Sequence, residues 1–85
     1  DGAVSALVRG GKSLLPAGVR GVTGEFHPGD VVEVADLGGV TIGRGVVNYA
    51  SWQLVAIAGL SVEEARKRVD VHRPEVIHRD EWVAL

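Results

Sequence analysis

The sequence predicts a small, mainly β fold: a mixed α/β barrel with short helices at its periphery. Strand-like runs rich in valine outnumber helix-like ones, glycines gather at the bends between them, and short helical segments interrupt the order of the strands. Pattern alone leaves the kind of barrel open, with OB-like and SH3-like arrangements both admissible. At 85 residues and 8.9 kDa the chain makes one domain, 1–85. A domain of that size buries a core but keeps only modest stability.

Residues 3–9 read as a short helix. Asp1 would cap its first turn, Val4, Leu7 and Val8 share a face at spacings of three and four, and Gly10 and Gly11 stop it. Residues 18–26 read as a strand in which Gly18, Gly21 and Gly24 mark bulges or close backbone approach. His27-Pro28-Gly29-Asp30 is a turn, because proline presets the second position and glycine accepts positive φ at the third. Val31 to Ala35 comes next as a buried-looking strand, Asp36-Leu37-Gly38-Gly39 reverses it, and Val40 to Asn48 returns to complete a hairpin.

Ser51 then caps a second helix with Trp52, Val55, Ile57 and Ala58 on its apolar side, ended by Gly59. Ser61-Val62-Glu63-Glu64 has the capping-box spacing and starts a third. Arg66, Lys67 and Arg68 fall in its last turn, where the helix dipole favours cations. Residues 75–78 and 81–85 read as one final strand or two short ones.

Composition narrows the function classes. The chain has no cysteine, so it carries neither disulfide nor thiolate chemistry, and a reducing compartment suits it. It has no methionine and starts at Asp1-Gly2, which reads as a piece cut or processed from a longer product. No apolar run approaches the roughly 20 residues of a membrane span, and no signal-peptide pattern opens the chain. Net charge is −2 and the pI about 5.9, which lowers the expectation of nucleic-acid binding without excluding it. The charge is uneven, however. Residues 1–20 set Asp1 against Arg9, Lys12 and Arg20, whereas Glu25, Asp30, Glu33 and Asp36 in the middle face only Arg44.

No catalytic constellation emerges. Gly11-Lys12-Ser13 matches the end of a phosphate-gripping loop, but the first glycine of that pattern is replaced by Ala6, and Pro16 interrupts the segment after it. A bland connection is the stronger reading, with backbone contact to a nucleic acid between the two. His27, His72 and His78 are dispersed and match no metal-ligand spacing. The serines have cap or loop readings and none sits in a nucleophile elbow. Asp30, Glu33 and Asp36 read as a solvated acidic rim. Tyr49 and Trp52 read as core or inter-domain packing. An exposed Trp52 or Trp82 would mark a protein partner, since tryptophan is enriched at interface hot spots.

The stretches Gly11-Lys12-Ser13-Leu14-Leu15-Pro16, Gly29-Asp30, Gly43-Arg44-Gly45, Tyr49-Ala50-Ser51 and Val76-Ile77-His78-Arg79-Asp80, at these spacings, resemble the PUA domain at the C-terminus of bacterial glutamate 5-kinases. The likeness runs through nearly the whole chain. It departs at Glu81, where that family has asparagine, and at Val69-Asp70-Val71-His72-Arg73.

The resemblance implies a pseudobarrel of about five to six strands with short peripheral helices. It implies a structural role in barrel closure for His78-Arg79-Asp80, with Arg79 paired to Asp80 or Glu33 as a rim ion pair. It further implies a cytoplasmic parent enzyme that phosphorylates glutamate with ATP and Mg2+ to open proline biosynthesis. Catalytic and feedback residues lie in that parent's kinase domain, so this segment holds no catalytic residue, metal or cofactor of its own. Two roles are then open. One is a regulatory module contacting the kinase domain or sister subunits through Tyr49, Trp52 and Trp82. The other is an RNA-binding module using Arg9, Lys12, Ser13, Gly18, Arg20 and Arg79. No membrane association is implied.

Overall fold

The structure, a computed structural model, describes residues 2–7, 13–70 and 73–84. Its strands are β1 (Ala3–Ala6), β2 (Val19–Thr23), β3 (Val31–Ala35), β4 (Thr41–Val47) and β5 (Ile77–Ala84), with helices α1 (Ser51–Ile57) and α2 (Val62–Arg66) between β4 and β5. A short helical turn, Pro16–Gly18, leads into β2. The strands form one sheet in the order β2-β1-β3-β4-β5. β1 runs parallel to β3, and the other neighbours are antiparallel.

The segment leading into β2 reaches the opposite edge of that sheet. The Leu14 amide donates to the Ile77 carbonyl at 3.0 Å, and the Leu14 carbonyl accepts from Val76 at 2.7 Å. The segment entering β2 is thereby stitched to the head of β5, which converts the sheet into a pseudobarrel. The interior is filled by inward positions of the strands (Val4, Ala6, Val19, Val32, Val34, Val47 and Ile77), and Leu54, Ile57 and Ala65 cover it from the helices.

The hairpin of β3 and β4 forms as expected, with Gly29 at φ 95° in the preceding turn and the Asp30 amide donating to His27. Ser61 caps α2 by accepting from the Glu64 amide at 3.2 Å. The final strand is one element, β5.

The first expected helix is instead strand β1. Val4 and Ala6 are buried and alternate with half-buried Ala3 and Ser5, so the working period is two. Four residues fit either period, and pairing with β2 on one side and β3 on the other decides. Asp1, Val8, Gly10 and Gly11 of that expectation lie outside the described residues.

A second correction concerns α1. Its buried face is Leu54 and Ile57, and Trp52 and Val55 point outward. Apolar residues surround this helix, so the sequence offers no moment from which to select a face. Ala50 occupies the cap position, its amide donating to Gln53 Oε1 at 2.8 Å. Ser51 instead accepts from the Phe26 amide at 3.2 Å, which ties α1 to the segment after β2.

Gly43 and Gly45 let β5 lie close against β4. A Cβ at Gly43 would stand 2.6 Å from the Val83 carbonyl oxygen and 2.9 Å from the Trp82 ring. One at Gly45 would stand 2.6 Å from Ile77 Cγ2. Gly43→Ala should therefore lower the unfolding free energy by about 2 kcal/mol through overpacking. Gly21→Ala, whose Cβ meets Ser5 at an ordinary 3.6 Å, should stay within about 0.5 kcal/mol of the parent. Urea denaturation of the two variants makes the comparison.

Candidate functional site

Arg9 and Lys12 lie outside the described residues. The other members of the expected RNA set each have an internal task. Ser13 Oγ accepts from the Arg79 amide at 3.1 Å, extending the closure of the barrel by one bond. The Gly18 amide donates to Leu15 and its carbonyl accepts from Leu7, each at 2.9 Å. The Val19 amide donates back to Pro16. Arg20 folds onto the same turn and donates to the Ala17 carbonyl at 2.6 Å. The Gly18 and Val19 amides are thus used by the turn itself.

Arg79 sits 3.8 Å from Asp80, not against Glu33. Glu33 is instead the register partner of Arg44 across β3 and β4. Nearby, Arg73 is paired to Glu81 at 3.5 Å. Such exposed pairs are worth about 0–1 kcal/mol each. They nonetheless reduce the net positive field that a phosphate backbone would meet.

Two of the acidic residues have structural work in turns. Asp30 Oδ2 accepts from the His27 amide at 2.9 Å, and Asp36 Oδ1 accepts from the Gly38 and Val40 amides at 2.9 and 3.0 Å. His78 Nδ1 accepts from the Asp80 amide at 3.1 Å. His72 lies outside the described residues. Among the described residues no group of three or more carboxylate or imidazole side chains is arranged to hold a metal ion. No helix among them is long and apolar enough to cross a membrane.

The three aromatic candidates separate. Tyr49 is 2% exposed, and its hydroxyl donates to the Arg73 carbonyl. It belongs to the core, which corrects its assignment to a partner surface. Burial pushes its pKa above the ordinary 10.0, the Glu75 carboxylate adds to that, and the Arg66 guanidinium opposes it. Trp82 is half-buried and lies across Gly43, so it serves the β4–β5 seam. Only Trp52 is presented, 69% exposed, with Val55 one turn further along the same face.

The sequence reading missed a second apolar surface. Val31, Val46 and Val83 line a groove of about 300 Å³ on the outer face of β3, β4 and β5, bordered by Arg44 and Glu81. One signal was present: Glu33 marks the outward parity of β3, and Val31 shares it.

Fold and surfaces together define a small β-pseudobarrel domain that leaves apolar side chains exposed on its outside. The PUA domain family matches residues 1–69, and the chain belongs to that family. Over 85 residues it is 57% identical to glutamate 5-kinase from Geobacillus kaustophilus (strain HTA426) and 58% identical to that from Geobacillus thermodenitrificans (strain NG80-2). Over 84 residues it is 48% identical to glutamate 5-kinase from Bacillus cereus (strain ATCC 10987 / NRS 248). These alignments cover 99–100% of this chain and 23% of each relative, so the chain spans about a quarter of their length. Among solved structures, a PUA domain from Aeropyrum pernix K1, crystallised as a tartrate complex, superposes with a TM-score of 0.57 at 24% identity. It covers 92% of this chain and 42% of that one, and it supports the fold alone.

Tyr49→Phe should cost about 1 kcal/mol through loss of the bond to Arg73. The folded-state pKa of Tyr49 is raised, so its contribution is complete below the unfolded tyrosine pKa of about 10 and is lost as pH rises through the folded value. Denaturation midpoints across that range should fall for the parent, and less steeply for the phenylalanine variant.

Proposed function

We propose that this chain is the C-terminal accessory domain of a cytoplasmic glutamate 5-kinase. In this reading it is a regulatory module that contributes no group to catalysis. The parent would transfer phosphate from Mg-ATP to the γ-carboxylate of glutamate in its kinase domain, and this domain would tune that activity through inter-domain or inter-subunit contacts. The observation that carries the reading is Trp52. A large aromatic side chain stands in solvent beside Val55, on a helix that sends Leu54 and Ile57 into the core. Exposed tryptophan is a typical anchor of protein interfaces. Similarity to glutamate 5-kinases along the entire chain supports the identity of the parent.

The RNA-binding alternative has less support, since Ser13 Oγ, the Gly18 amide and carbonyl and Arg20 Nη1 each make a bond within the fold. Trp52→Ala in the full-length enzyme should leave the domain's unfolding free energy within about 0.5 kcal/mol of the parent. It should also shift proline inhibition or the oligomeric state. Inhibition and assembly that survive deletion of the whole domain would sink the proposal. An amide-shift titration with structured RNA at two salt concentrations should show no salt-sensitive shifts on Ser13–Val19 or Arg79. Shifts there that weaken with salt would restore the RNA reading.

A further inference from the structure

We infer that the outer face of β3, β4 and β5 is the seat of the polypeptide's own preceding domain, an inference that rests on the chain being part of a longer kinase. The groove lined by Val31, Val46 and Val83 is not isolated. A second depression of about 290 Å³, lined by Gly2, Val31, Val32, Glu33 and Arg44, shares Val31 and Arg44 with it. The two form one trough from Gly2 across β3 and β4 to β5. Strand register produces it, because Val31 pairs with Val46, Glu33 with Arg44, and Arg44 with Val83. Val31 and Val83 are 62% and 67% exposed in strands whose inward residues are fully packed.

The location of Gly2 identifies the occupant. Its carbonyl accepts from the Glu33 amide at 3.2 Å, which fixes the incoming chain to the rim of the trough. A Cβ there would stand 2.1 Å from the Phe26 ring, so the backbone is held close against that side chain. The relatives are several times longer than this segment. Polypeptide preceding Gly2 therefore enters at the polar end of the trough, beside Glu33 and Arg44, with the valine-lined groove beyond it, and covalent linkage raises the effective concentration of whatever precedes it. Under those conditions a small seat suffices, as interfaces between domains of one chain are modest and fairly polar. The matching surface should offer aliphatic side chains over the valines and a carboxylate towards Arg44.

Thiol labelling tests this in a full-length background whose cysteines outside this segment are replaced, since the segment itself has none. Val31→Cys, Val83→Cys and Leu37→Cys would be placed singly in the full-length protein, with Leu37 as an exposed position at the far end of the β3–β4 hairpin. Position 31 and position 83 should label about tenfold more slowly than position 37, the equivalent of about 1.4 kcal/mol of protection. Val83→Asp should bring position 31 back towards the rate of position 37. Equal rates at all three positions would overturn the inference, and so would slowing that depends on protein concentration, which would point to a second copy. Glutamate-dependent ATP consumption by the same preparation is read separately. If it is present while labelling is equal, only the inference fails; if it is absent, the kinase reading itself fails.

Discussion

The fold depends on one pair of backbone hydrogen bonds, those Leu14 makes with Ile77 and Val76. Without them the head of β5 would present unpaired amides and carbonyls on its outer side. With them the segment leading into β2 crosses to β5, and Leu14 and Ile77 bring their side chains into the core at the junction. The Ser13 hydroxyl extends the join to Arg79. The covering helices then have a fixed floor, and the Gly59 amide donates to Pro16 beside the same junction.

That junction also takes up polar groups on either side of the turn into β2. Its glycine, serine and arginine look from composition like a phosphate grip, but binding needs donors that point outward and are free. Here Gly18 satisfies Leu15 and Leu7, Arg20 satisfies Ala17, and Ser13 satisfies a strand at the opposite end of the sequence. Polar groups committed to holding a barrel shut contribute to stability and leave little for a passing anion. Among the described residues, exposed apolar side chains include Trp52 with Val55 on α1 and the valines on the outer sheet.

Most of the architecture was legible where the governing interactions are local. The turn at Pro28-Gly29, the β3–β4 hairpin and the Ser61 cap are each decided within a few residues, and each is found where the sequence put it. β1 was misread because four residues cannot distinguish a period of two from one of 3.6, and its identity comes from two distant partners. The face of α1 was misread because its apolar residues encircle it. The candidate site was hidden for a related reason. Ser13 and Arg79 are 66 residues apart in sequence, and nothing local to either announces the bond between them. Tyr49 was half legible, since its aromatic bulk suggested packing, while the carbonyl it satisfies on Arg73 could be seen only in the folded chain.

The placement of the two tryptophans has an optical consequence. Trp82 lies in a half-shielded slot over Gly43, and Trp52 stands in water on α1. Their indoles therefore emit from different environments within one short chain. The blue-shifted component reports whether β5 is in place, and the red-shifted one reports whether something has covered α1. The domain thus carries one intrinsic fluorophore in the β4–β5 seam and another on the open face of α1, readable in one spectrum without a label.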